Sequence, residues 1–165
     1  MEHKINLLFV DDEEQFLASM KKQLEVRGFN VIAVDRGEKA LAAADKLDID
    51  IALVDLKMPG LNGEETLKAL KLKHHWMEIV ILTGHGTIDS AVGSIQSGAY
   101  AYLQKPCSLD ELMEVLKNAY KKKVMNKNQI EEQRMNRLLK LTQSSSPREI
   151  LKRLSEIDHD AAEAR

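Results

Sequence analysis

Residues Leu7–Glu14 read LLFVDDEE. Four apolar residues run directly into four acids. A buried strand ending this way sets Asp11 next to Asp12, and neighbouring carboxylates repel in a low dielectric. The junction needs a reason, and the reason depends on whether other strands in the chain end in a similar way.

Working outward, short apolar runs recur at Ile5–Val10, Val31–Val34, Asp50–Asp55, Ile79–Thr83 and Tyr100–Gln104. The first, third and fourth are nearly continuous in apolar residues, as expected of strands covered on both faces. Amphipathic helical segments lie between them. Phe16, Leu17, Met20 and Leu24 share one face, and Gly28 suits a helix C-terminus. Ala40, Leu41 and Ala44 mark a second helix, Leu67 and Leu70 a third, and Ile88, Val92 and Ile95 a fourth that stops near Gly98. Ser108 and Glu111 form a capping-box pattern opening a fifth helix, with Leu109, Leu112, Met113 and Leu116 on its apolar side. Alternation of this kind predicts a parallel α/β sheet with helices on both faces.

Composition fits that class. The chain has 165 residues, 44% hydrophobic and 30% charged, enough to bury a core. A net charge of −2 gives no bulk electrostatic case for nucleic acid or an anionic membrane. One cysteine, Cys107, excludes an internal disulfide and a cysteine-rich zinc site; it reads as inert packing and fits a cytoplasmic protein. No apolar run approaches the roughly 18 residues of a membrane span, and the N-terminus is too short in apolar residues for a signal peptide.

In an open parallel sheet, ligands bind beyond the carboxyl ends of the strands. Strand one ends in Asp11 and Asp12, strand three in Asp55 and strand four in Thr83 followed by Gly84; strand five is followed by Lys105 and Pro106. Each residue alone has a plain reading: a turn-forming or capping acid, a β-branched strand residue, a loop lysine. Together they put three carboxylates, a hydroxyl and an ammonium in one cleft. A hard divalent cation relieves the repulsion, and Mg²⁺ takes oxygen ligands from one or two carboxylates and phosphate oxygens. Lys105 and Thr83 suit an incoming phosphoryl oxygen, which leaves Asp55 as a carboxylate nucleophile. His74, His75 and His85 lack metal-ligand spacing and read as surface histidines, and Met58-Pro59-Gly60 reads as a turn.

These residues resemble the receiver domain of bacterial two-component response regulators. The resemblance rests on FVDDE (Phe9–Glu13), LVDLKMPGLNG (Leu53–Gly63), ILTGHG (Ile81–Gly86) and GAYAYLQKP (Gly98–Pro106), in order over roughly residues 4–122. It implies a flavodoxin-like five-stranded parallel sheet ordered 2-1-3-4-5 and a receiver domain over residues 1–122. It further implies that Asp55 accepts a phosphoryl group from a histidine kinase or histidine phosphotransfer protein. Mg²⁺ would be held by Asp12 and Asp55, by Asp11 through water, and by the backbone carbonyl of Lys57. Thr83 and Lys105 would bind phosphoryl oxygens, and Tyr102 matches the aromatic switch position. Gly84 leaves access to the phosphoryl site, with Lys57 and His85 flanking the path of a hydrolytic water. Such a protein is a signalling switch rather than an enzyme with a separate substrate, and no second acid is placed as a general acid beside Asp55, as an independent phosphatase would need.

Beyond Tyr120 the chain changes. KKKVMNKNQIEEQRMNRLLKLTQ is charged and has no breaker before Ser144, so the fifth helix is expected to continue, long and exposed. Val124, Glu131, Met135, Leu138 and Thr142 make a poor heptad. SSSPREI then suggests a restart, with Ser146 as cap, Pro147 at the first position and Glu149 three beyond the cap, and a stripe of Ile150, Leu151, Leu154 and Ile157. Residues 123–165 hold no recognisable helix-turn-helix or ATPase loop. The expectation is a single-domain regulator with a helical extension. It would signal to an unknown downstream protein, or to a second copy through the helix 4–strand 5–helix 5 face or the C-terminal helix, without binding nucleic acid. A receiver cut from a longer DNA-binding regulator and a non-phosphorylated scaffold are the alternatives.

Overall fold

A computed structural model describes residues 3–144 together with Glu149 and Lys152. The elements alternate as β1 (Ile5–Val10), α1 (Glu14–Val26), β2 (Phe29–Val34), α2 (Gly37–Lys46), β3 (Ile51–Val54), α3 (Gly63–Lys73), β4 (Glu78–Thr83), α4 (Ile88–Gln96), β5 (Ala101–Gln104) and α5 (Leu109–Ser144). By contacts the chain divides into two compact units, residues 1–123 and 124–165.

The first unit is a single five-stranded sheet ordered β2-β1-β3-β4-β5, with every pairing parallel. This is the expected order. Alternate residues of a strand point to opposite faces, and β1 shows the consequence. Leu8 and Val10 join the core that holds Ala40 and Ala44 of α2 and Leu67 and Leu70 of α3. Leu7 and Phe9 join the core that holds Leu24 of α1 and Leu112, Leu116 and Ala119 of α5. Both faces are thus covered, and β3 and β4 are buried along their whole length.

Two strands extend beyond the apolar runs and two are shorter. β2 begins at Phe29, not Val31, because Phe29 is buried and pairs with Ile5. Exposed Asn30 bonds Asn6 across the pair, its side-chain amide to the Oδ1 of Asn6 at 2.8 Å. β4 begins at Glu78, β3 lacks its flanking aspartates and β5 begins one residue later than Tyr100. Gly28 does end α1, at φ 94°, a left-handed conformation that a Cβ would disfavour, with its N–H on the Glu25 carbonyl.

α4 departs from its sequence pattern. Ile88, Val92 and Ile95 are 83%, 50% and 48% exposed, and the buried residue of α4 is Ser94, whose hydroxyl has no hydrogen-bond partner. The helix lies chiefly against edge strand β5, which offers a narrow surface to cover. Its apolar stripe consequently faces outward.

At the amino ends of the strands a second set of charges ties α5 down. Asp50, buried just before β3, accepts from Lys123 Nζ at 2.6 Å and from the Asn6 backbone N–H at 2.8 Å. Glu78, buried at the start of β4, has Lys122 Nζ at 3.5 Å and Lys71 Nζ at 3.8 Å. The loop entering β4 at the same edge carries Trp76, the only tryptophan of the chain.

As expected, α5 runs on as one helix to Ser144, with Met125, Ile130, Met135 and Leu139 exposed in the second unit. The helical restart expected over Ser146–Ile157 lies outside the described residues, apart from Glu149 and Lys152. No helix among the described residues is long and apolar enough to cross a membrane.

Candidate functional site

Parallel pairing continues one residue past the strands and aims the polar side chains. Asp11 donates its N–H to Val34 O at 3.1 Å, Asp55 to Val10 O at 3.0 Å and Lys105 to Thr83 O at 2.9 Å. Each residue following β1, β3 or β5 is thereby pinned to the neighbouring strand. Gly63, the first residue of α3, closes in from below: a Cβ there would collide with the backbone carbonyl of Asp55. The Lys105–Pro106 peptide is cis.

The expected acids come together. One carboxylate oxygen each from Asp11, Asp12 and Asp55 lies within 4.8 Å of the others. Asp11 is fully buried, Asp55 is 3% exposed and Asp12 is exposed. Lys105 Nζ donates to Asp11 Oδ2 at 2.6 Å and to Glu13 Oε1 at 3.2 Å, and stands 4.0 Å from Asp55 Oδ2. Asp11 Oδ1 accepts the Glu13 N–H at 2.9 Å, which turns the chain into α1. The other oxygen of Asp55, Oδ1, is buried without a hydrogen-bond partner.

These contacts set the charge balance. Burial pushes the Asp11 carboxyl above the usual carboxylate range, against the pull of Lys105 and the Glu13 N–H and with the Asp55 charge adding to the rise. Burial alone would lower the Lys105 ammonium. The hydrogen bond and charge of Asp11, helped by Asp55 and Glu13, outweigh it and raise Lys105 above its ordinary value. A firmly charged ammonium faces three clustered carboxylates, so the cluster is short of positive charge.

Thr83 is fully buried at the end of β4, and its Oγ1 accepts the His85 N–H at 3.2 Å. Lys57 and His85 line a cleft of about 600 Å³ that shares Asp12 with the acid cluster and is bounded by Asn62, Glu64 and Ser90. Tyr102 is half-buried, packs on the core beneath α2 and α3, and sets its hydroxyl 3.1 Å from Ser90 Oγ. It lies close over Gly86, where a Cβ would collide with the phenol oxygen.

Three residues of the site escape sequence reasoning. Glu13 and the ring of Phe16 both meet Lys105, Phe16 with its centroid 4.2 Å from Nζ, and Ser90 meets Tyr102. Phe16 reads from sequence as core stripe, and nothing in the sequence singles out Ser90. Only the packing of α1 beside the β5–α5 turn, and of α4 beside β5, gives them these neighbours.

Residues 7–117 match the family described as the response regulator receiver domain. Among curated proteins, the chain is 35% identical over 111 residues to the alginate biosynthesis transcriptional regulatory protein AlgB of Pseudomonas syringae pv. tomato, covering 67% of this chain and 25% of that protein. It is 33% identical over 110 residues to the DNA-binding transcriptional regulator NtrC of Salmonella typhimurium, covering 67% and 24%. The chain therefore spans about a quarter of the length of these relatives. Among solved structures, a CheY-like response regulator receiver domain from Methanospirillum hungatei superposes with a TM-score of 0.71 at 30% identity, covering 75% of this chain and 99% of that one. With its sheet order and with the match spanning most of the first unit, this chain belongs to the response regulator receiver domain family.

Proposed function

We propose that the chain is a phosphorylation-driven switch in which Asp55 accepts a phosphoryl group from a histidine kinase or a histidine phosphotransfer protein. The observation that carries this reading is the Asp55 carboxylate itself. One oxygen lies buried without a partner, the other lies 4.0 Å from the Lys105 ammonium, and two further carboxylates crowd it. A carboxylate held in this way is under-neutralised and free to react.

The residues fit Mg²⁺: three oxygen donors within 4.8 Å, an orphaned buried oxygen and too little positive charge. Asp11, Asp12 and Asp55 would hold the ion with the backbone carbonyl of Lys57. When bound, Mg²⁺ neutralises the acid cluster and draws charge from the phosphoryl oxygens. In the transfer an Asp55 oxygen attacks phosphorus, the O–P bond forms, and the P–N bond to the donor histidine breaks with its electron pair leaving on nitrogen. Lys105 and Thr83 take the phosphoryl oxygens as they develop charge. The group adds about two negative charges. Thr83 turns toward them, Tyr102 follows, and the α4–β5–α5 surface changes for its partners.

In this reading residues 1–122 are the phosphoacceptor domain and 123–165 a helical extension, in a cytoplasmic protein that acts on itself rather than turning over a separate substrate. The outward apolar stripe of α4 favours a protein partner or a second copy. Light scattering with and without beryllofluoride separates the two. The phosphoacceptor reading itself is tested by incubation with acetyl phosphate and Mg²⁺. The intact mass should rise by one phosphoryl group, and the rise should disappear in Asp55→Asn; undiminished labelling of that variant refutes the assignment.

A second reading makes the chain the receiver part of a longer DNA-binding regulator. It is favoured by the transcriptional regulators of which the chain covers a quarter. The reading frame beyond codon 165 decides between the two.

A further inference from the structure

Lys105 does not rest on carboxylates alone. Its side chain is 13% exposed, its stem runs beside Gly84, where a Cβ would be in ordinary contact with it, and its ammonium sits over the face of Phe16, 4.2 Å from the ring centre. The ring does not hold this orientation by chance. Phe16 meets Phe9 edge to face, centroids 5.9 Å apart and planes at 75°. Phe9 is 1% exposed and stands two residues before Asp11 on β1. A buried aromatic on the strand thus sets the plane of a half-buried aromatic on the helix, and the face of the second ring meets the cation.

A ring face carries negative charge density that attracts a cation without binding it in one fixed direction. Asp11, at 2.6 Å, would by itself hold Lys105 at the buried end of the cluster. Phe16 offers a desolvated surface on which the ammonium can shift toward Asp55 and remain stabilised. We infer that Phe16 is a positioning residue for Lys105, keeping its ammonium within reach of the phosphoryl group while Asp11 competes for it. The inference rests on the reading of Lys105 as a phosphoryl ligand and adds a specific cause for its placement.

Phe16→Leu keeps an apolar side chain and removes the ring face; Phe16→Tyr keeps the face. In lysine-labelled protein without phosphodonor, nuclear magnetic resonance should show the Lys105 ε-methylene protons displaced by ring current in wild type and Phe16→Tyr, and not in Phe16→Leu. With acetyl phosphate and Mg²⁺, Phe16→Leu should be phosphorylated roughly three- to thirtyfold more slowly, and Phe16→Tyr at close to the wild-type rate. If the leucine variant does not fold, Phe16→Met takes its place. No ring-current displacement in wild type overturns the inference, as does a leucine variant as fast as wild type or a tyrosine variant as slow as leucine. A wild-type protein that takes no phosphate sinks the phosphoacceptor reading and this inference together. A normal wild type beside an equally fast leucine variant sinks this inference alone.

Discussion

Asp55 Oδ1 is buried beside two other carboxylates and makes no hydrogen bond. That arrangement costs stability, because like charges and an unsatisfied acceptor both disfavour the fold, and it would serve the reactivity proposed for Asp55. Asp55→Asn should therefore stabilise the metal-free protein by about 1 kcal/mol. Urea unfolding with and without Mg²⁺ checks this: the gain should shrink when the cation is present, since a cation held at the proposed site would stabilise wild type more than the variant. At this scale the sequence was informative where chemistry coincided with a strand end. Asp11, Asp12, Asp55, Thr83 and Lys105 each close or follow a strand, and parallel pairing alone brings them to one edge. It was silent about Glu13 and Phe16, whose contact with Lys105 depends on how the first turn of α1 packs against a turn far along the chain.

Helix ends show the same division between local and tertiary signals. Asn62 caps α3 through a reciprocal box with Glu65, both bonds at 2.9 Å. Asn62→Ala should cost about 1 kcal/mol in urea unfolding. Ser108 accepts the Glu111 N–H at 3.1 Å, as the sequence pattern suggests; Thr87 caps α4 in a box with Ser90, a pairing that a search for acids or amides three residues on does not find. The direction of α4 was unreadable for a different reason. Periodicity says that Ile88, Val92 and Ile95 lie along one side of a helix, but not whether the sheet beneath is wide enough to cover them. Between α2 and α3, Asp45 binds Lys73 at 3.1 Å and His74 at 3.2 Å. The Lys73 hydrogen bond, then that of His74, holds the Asp45 carboxyl below its ordinary 3.8. A depressed folded value means that the folded state holds the proton less tightly, so the contribution is present above pH 3.8 and lost as pH falls through the lower folded value. The stability gap between wild type and Asp45→Asn, small because the pair is exposed, should close in that acid range when unfolding is followed against pH.

For the first unit as a whole, parallel strands separate two tasks. The acid cluster and Lys105 gather at the carboxyl edge, while Asp50 and Glu78 anchor Lys123 and Lys122 at the amino edge. Lys123→Ala leaves the Asp50 carboxylate buried with only the Asn6 N–H, and should cost about 1–3 kcal/mol. Asp50→Asn in the same chain should recover part of that loss, as chemical denaturation of the double variant would reveal. The topology was legible because five β/α units in sequence admit few arrangements; the anchoring lysines were not, since three adjacent lysines look alike until the helix phase selects which face the sheet. The same separation bears on how the protein can be observed. Trp76 stands in the loop before β4, at its amino end, its ring 5.8 Å from that of His75, while Thr83 closes the strand at the other end. Tryptophan fluorescence should then be blind to occupancy of the proposed site: tryptophan emission spectra recorded before and after adding Mg²⁺ and beryllofluoride should overlay, and an optical reporter of the proposed switch would have to be placed beside Tyr102 instead.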